Sequence, residues 1–191
     1  NKRIKINESI KTFFDEKKGY LTETHSLICN MSVTSIWTTN YDSLLERQLE
    51  ESNIEYGILT NDESYRDVNN NASVIVHKVH GTYSKPNECV ITRDDYEKYY
   101  SKHDIVLSQL KAEMCSKSFL FLGYGFRDID ISHIFAKIRQ IYNSDNPHQH
   151  YCIMKKVSKK ENGTEKDDEE YMYDLQKEQH FILDMKNYGI E

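Results

Sequence analysis

The chain has 191 residues, 38% of them apolar and 12% aromatic, a composition that supports a packed core and excludes a disordered tail. Its 31 acidic residues outweigh 25 basic ones to give a net charge of −6, so charge gives no reason to expect nucleic acid as a partner. No stretch nears the roughly 20 apolar residues that span a bilayer, and the opening NKRIKINESI carries no apolar signal core, which reads as a cytoplasmic protein without a membrane partner.

In chain order, Ile10, Phe13, Phe14 and Lys17 fall at helical spacing, as do Leu27, Ile28 and Met31, predicting two helices ahead of the first strand. That strand is S-I-W-T-T, 35–39, and it stops on N-Y-D. Leu44, Leu45, Gln48 and Leu49 then share one side of a helix over 43–51, with Asp42 placed to cap it. A second strand is expected over 54–59, a polar loop over 60–73, and a β-branched strand from Val74 to Val79 that breaks at Gly81. Thr92 and Asp95 have capping-box spacing and open a helix through Tyr96, Tyr99 and Tyr100, followed by an apolar helix from Asp104 to Cys115. F-L-F-L, 119–122, reads as a strand buried on both faces. Ile131, Ile134, Phe135, Ile138 and Ile141 form the apolar stripe of the next helix, H-Y-C-I-M at 150–154 reads as a strand, and a last helix over 168–187 ends at Gly189.

Strands alternating with helices predict an α/β fold, a Rossmann-like, mainly parallel sheet flanked by helices, in one domain over 1–191. The run KKVSKKENGTEKDDEE, 155–170, is expected as a charged surface excursion. Cys29, Cys89, Cys115 and Cys152 are scattered, with no C-x-x-C pair, so neither a disulfide framework nor a zinc site is expected.

In such folds ligands bind beyond the carboxyl ends of the strands. Three strands here end in unusual chemistry: N-Y-D after the first, H-G after V-I-V-H-K-V, and G-Y-G-F-R-D after F-L-F-L. If the sheet is parallel throughout, Asn40, Asp42, His80, Gly123, Gly125 and Asp128 share one cleft. Each has a plainer reading: Asp42 and Asp128 as helix caps, His80 as a turn histidine, and the glycines as turn formers. Their convergence is what favours a site.

These residues resemble the sirtuins. T-T-N-Y-D is similar to the T-Q-N-x-D motif, V-H-G to the histidine-glycine, and L-G-Y-G to the later glycine-bearing strand end. The resemblance is closer to the sirtuin-like NAD-hydrolase domains of bacterial antiphage defence proteins. There T-T-N-Y-D, H-G, I-T-x-x-D-Y-x-x-Y and L-G-Y-x-x-x-D recur together, as they do here at 38–42, 80–81, 91–99 and 122–128. The zinc ribbon of deacylating sirtuins has no counterpart, and neither does the glycine-rich first turn that cradles the pyrophosphate, so a domain incomplete at its N-terminus and belonging to a longer chain is expected.

The resemblance implies a hydrolase that cleaves NAD, its substrate, to nicotinamide and ADP-ribose and depletes it during phage infection. By resemblance, Asn40 orients water or the ribose hydroxyls and His80 removes a proton, as suits the residue type that titrates nearest neutrality. Thr39, Asp42, Gly123, Gly125 and Asp128 would bind the dinucleotide, with Thr39 standing where deacylating members have glutamine and Asp42 open between nicotinamide and helix capping. A homo-oligomer and a sensor or partner domain that holds the effector inactive are further expectations. A non-catalytic NAD or ADP-ribose binding module and an NAD-dependent protein deacylase are the alternatives.

Overall fold

The computed structural model describes residues 2–17, 19–67, 71–99, 103–126, 129–142, 148–160 and 164–191. Helices α1 (Lys2–Glu16) and α2 (Glu23–Cys29) precede strand β1 (Ser35–Thr38), and α3 (Leu44–Glu51) leads to β2 (Tyr56–Leu59). A 3-10 turn at Asp62–Asp67 precedes β3 (Val74–Lys78), and another at Pro86–Glu88 precedes α4 (Arg93–Glu97). Then follow α5 (Asp104–Ser116), β4 (Leu120–Leu122), α6 (Ile129–Tyr142), β5 (Tyr151–Ile153) and α7 (Glu165–Asn187). The chain divides into two compact units, residues 1–107 and 108–191.

In the first unit β3 is the central strand, with β1 and β2 on either side and both parallel to it. The chain passes from β1 through α3 to β2 on the far side of β3, and from β2 to its parallel neighbour β3 through the 60–73 stretch rather than a hairpin. Val74 and Val76 point from β3 into a core completed by Cys29 of α2 and Leu49 of α3, with Ile36, Leu45, Ile54 and Tyr56 packed around it. The periodicity of 43–51 anticipates this face: Gln48 and Leu49 are buried, and Leu44 and Leu45 half-buried. The polar stretch expected as a loop over 60–73 folds into its 3-10 turn because Ser64 Oγ accepts from the amides of Thr60 and Asn61 while Asn61 Oδ1 accepts from Ser64 N.

In the second unit β4 and β5 run parallel, with Leu120 opposite Tyr151 and Leu122 opposite Ile153. Phe121 faces the other way, its ring 5.0 Å from that of Phe126 and 5.6 Å from that of Phe135. Phe135 lies on the apolar stripe of α6 with Ile134 and Ile138, all buried. His150 closes this aromatic cluster and its Nδ1 accepts from Phe119 N at 3.1 Å. The expected burial of F-L-F-L on both faces does not hold: Leu120 and Leu122 are 40% and 39% exposed. The aromatic layer around Phe121 covers one face of this two-stranded sheet, whereas the face bearing Leu120, Leu122, Tyr151 and Ile153 stays open to solvent. The final helix begins at a capping box between Thr164 and Asp167, three residues ahead of its expected start, and Gly189 follows it at φ +72°. Within 155–170, Lys159 and Lys160 pair with Asp168 and Asp167 on its exposed first turn.

Leu49 has no solvent exposure, so Leu49→Ala is expected to destabilise the first unit by about 2–5 kcal/mol, measured by urea denaturation.

Candidate functional site

Parallel pairing sets the site in the first unit. Thr38 lies opposite Lys78 in the β1–β3 register, and the ladder runs one bond further, from Val79 N to Thr38 O. The turn carrying Thr39, Asn40 and Asp42 and the turn carrying His80 therefore leave the sheet side by side at its carboxyl edge. Tyr83 N donates to Tyr41 O at 3.0 Å, which ties the second turn to the first. Asn40 is exposed, and its main-chain amide donates to Thr38 Oγ1 at 3.1 Å. Asp42 Oδ1 accepts from Leu44 N at 3.0 Å, so the carboxylate caps the first amide of α3 although Ser43 is the boundary residue.

His80 is buried and held by its backbone on both sides. Val90 N donates to His80 O at 3.0 Å, and the Tyr99 hydroxyl donates to Val79 O at 2.9 Å. The rings of Tyr96 and Tyr99 meet the imidazole nearly at right angles, with centroids 5.6 and 6.0 Å away, a favoured geometry between such rings. Gly81 turns the chain at φ +86°, and a Cβ there would lie 3.1 Å from Glu88 O and 3.2 Å from Cys89 Cα. Both the conformation and the closeness of that backbone demand glycine.

The I-T-R-D-D-Y-E-K-Y segment supplies the two tyrosines, and a polar knot sets its position. Asp95 Oδ2 accepts from Thr92 N, Thr92 Oγ1 and Ile91 N at 2.8, 2.8 and 3.1 Å, and pairs with Arg3 of α1. Arg3 also donates to the carbonyls of Pro86 and Cys89. Burial pushes the Asp95 carboxyl up, but the bonds from Thr92, Ile91 and Arg3 outweigh it and hold the group below its ordinary 3.8. Tyr100, expected on this helix, lies outside the described residues.

Gly123 and Gly125 follow β4 in the second unit. Gly123 takes φ +60°, and a Cβ at either glycine would meet nothing within 4 Å. Asp128 lies outside the described residues. Of the expected site residues, the structure thus brings Thr39, Asn40, Asp42 and His80 to one sheet edge, and places Gly123 and Gly125 at the end of a strand in the other sheet.

Two residues of the first unit that the motifs do not mark join its site. Lys78, on β3, is fully buried; its Nζ donates to Glu46 Oε1 at 2.6 Å and to the Asp42 carbonyl. A lysine inside the apolar run V-I-V-H-K-V was the available signal, since lysine is almost never buried unpaired. Its partner Glu46, on an otherwise ordinary helix turn, gave none.

A family profile described as the SIR2-like domain matches residues 34–181. The chain belongs to the SIR2-like family. It is 34% identical over 195 aligned residues to a Bacillus cereus (strain MSX-D12) protein named NAD(+) hydrolase ThsA, covering 99% of this chain and 39% of that protein. A protein of the same name from Enterococcus faecium is 35% identical over 97% of the chain and 39% of its own length. Defense-associated sirtuin 2 of Bacillus subtilis is 26% identical over 81% of the chain and 15% of its own length. The chain thus spans about two-fifths of the length of the ThsA relatives. The SIR2-like match takes in all three strand-end motifs and the segment carrying Tyr96 and Tyr99. Among the described residues, no group of three or more His, Cys, Asp or Glu side chains could hold a metal ion, and no helix is long and apolar enough to cross a membrane.

Because Asp95 binds its proton less readily folded than unfolded, its stabilising contribution is complete above the unfolded value of about 3.9 and is lost as pH falls through the lower folded value. Asp95→Asn is expected to cost about 1 kcal/mol at neutral pH, with the difference from the parent narrowing below about pH 4. Thermal unfolding of both proteins between neutral and acid pH checks the sign.

Proposed function

We propose that this domain is the catalytic part of an NAD hydrolase, which adds water across the bond between nicotinamide and ribose and yields nicotinamide, ADP-ribose and a proton. The observation that carries the reading is the β1–β3 register, which sets the Asn40 turn beside the His80 turn at the carboxyl edge of a parallel sheet. Relatives named NAD(+) hydrolase ThsA align over nearly the whole chain and support the same substrate.

Cleavage of this bond passes through an oxocarbenium-like ribose, so the site must fix the sugar and admit one oriented water. Asn40 is exposed, and its amide group donates and accepts at once, which suits it to hold water against a ribose hydroxyl. His80 removes the proton released as water adds; the bonds from Val90 and Tyr99 hold the backbone that carries it. Asp42 keeps its turn in place as the cap of α3, and its second carboxylate oxygen is available for the nicotinamide carboxamide. Thr39 borders the ribose. Gly123 and Gly125 have open space where a Cβ would stand, which suits close approach of a dinucleotide to the backbone, and the family resemblance adds Asp128 to the dinucleotide-binding residues.

The chemistry needs no zinc in this reading, which rests on the lack of any C-x-x-C pair in the sequence. Biologically, the domain acts on the cytoplasmic NAD pool as a depleting effector in antiphage defence. The remaining length of its relatives suggests where a sensor domain resides, with a homo-oligomer as the active or restrained form.

The test is to incubate the full-length parent with NAD and no peptide, beside Asn40→Ala and His80→Ala, and to quantify nicotinamide and ADP-ribose chromatographically. The parent is expected to release both in equal amounts, and each variant to lose activity by roughly a hundredfold or more at an unchanged melting temperature. Parent rates in both variants would overturn the mechanism; release dependent on an acylated peptide would mark a deacylase, and NAD binding without release a binding module.

A further inference from the structure

The fully buried lysine at the end of β3 has no part in the motifs. Lys78 is 1% exposed and its ion-pair partner Glu46 is 9% exposed at the side chain. A buried ion pair of this kind adds little net stability, because the desolvation of both charges offsets their attraction; apolar side chains of similar volume often serve as well. What the apolar pair lacks is direction. Lys78 Nζ reaches two groups from different parts of the chain, the Glu46 carboxylate on the first turn of α3 and the Asp42 main-chain carbonyl. Asp42 lies two residues after Asn40, and further fixed points of that turn include the Asn40 main-chain amide on Thr38 Oγ1, the Asp42 carboxylate on Leu44 N, the Tyr41 carbonyl on Tyr83 N and the Tyr41 hydroxyl on the Val90 carbonyl. Lys78 itself is two residues before His80, and Gly81 N donates back to the Lys78 carbonyl at 2.9 Å. One residue therefore spans the two site-bearing turns, by its backbone on the His80 side and by its ammonium on the Asn40 side.

We propose that Lys78 is a positioning residue that sets the Asn40 turn against the His80 turn, with Glu46 holding its ammonium on the Asp42 carbonyl. This rests on the hydrolase reading for its effect on turnover, while its effect on the turn stands independently. Lys78→Met alone strands the Glu46 carboxylate in the interior, so the informative variant is Lys78→Met with Glu46→Leu, which removes both charges and keeps the volume. In the full-length protein the double variant is expected to melt near the parent. Its kcat for nicotinamide release falls by roughly tenfold to a hundredfold, with KM for NAD little changed, as misplacement of a group that acts in the transition state requires. Amide hydrogen exchange gives a readout without turnover: the amides of Asn40 and Leu44 should exchange about tenfold faster than in the parent while those of β1 and β3 keep their protection.

Parent-like exchange at Asn40 and Leu44 overturns the positioning role whatever the activity. So does loss of protection spread across β1 and β3, which marks a merely structural lysine. Parent-like kcat together with a loosened turn overturns its bearing on catalysis. A parent that releases no nicotinamide defeats the hydrolase reading instead, and the exchange data still decide the part played by Lys78. If the double variant fails to fold, Lys78→Gln with Glu46→Gln, a polar pair too short to reach the Asp42 carbonyl, is read in the same way.

Discussion

The pairing of Thr38 with Lys78 fixes what the carboxyl edge of the first sheet can be. Both strands run the same way, so the residues that leave them emerge together, and a different register would offset the two turns along the edge. The ladder continues past the last strand residue through Val79 N and Thr38 O. Thereafter the turns are joined by single bonds rather than by a sheet, from Tyr83 to Tyr41 and from Lys78 to Asp42. The core beneath holds the register because Val74 and Val76 meet Cys29 and Leu49 only with β3 in its present alignment.

Several polar groups around this edge are buried or half-buried, and the anchors Lys78, Tyr99 and Asp95 have partners that offset their desolvation. Lys78 meets Glu46 and a carbonyl, the Tyr99 hydroxyl meets the carbonyl before His80, and Asp95 collects two amides, a hydroxyl and a guanidinium. Such groups add less to stability than to the definition of where things sit, since each bond is satisfied in one geometry only. The second unit is built by other means. Its centre is a cluster of rings around Phe121, Phe135 and His150, and β4 and β5 leave one apolar face open.

Relatives named as NAD hydrolases align with 97–99% of the chain, and the C-x-x-C pairs of a zinc ribbon are missing from the sequence. Function on such a fold is decided by what the strand ends present. Here they present an exposed amide, a buried imidazole and glycines with open space beside them.

The sequence by itself determined the order of helices and strands, the parallel α/β class, the capping box at Thr92 and the three strand ends, because each of these is written in residues close together in the chain. Periodicity names the face of α3 and the stripe of α6, and glycine marks where β3 must turn. It did not determine that Lys78 reaches Glu46, that Tyr99 holds the carbonyl before His80, or that Arg3 braces Asp95 across 92 residues. It also misjudged F-L-F-L, since an apolar run reads alike whether one face is covered or two. Those outcomes depend on which elements become neighbours, and a contact between side chains distant in sequence leaves no spacing to read. Only the tertiary structure, by setting the register of β1 on β3 and the layers on each sheet, decided them.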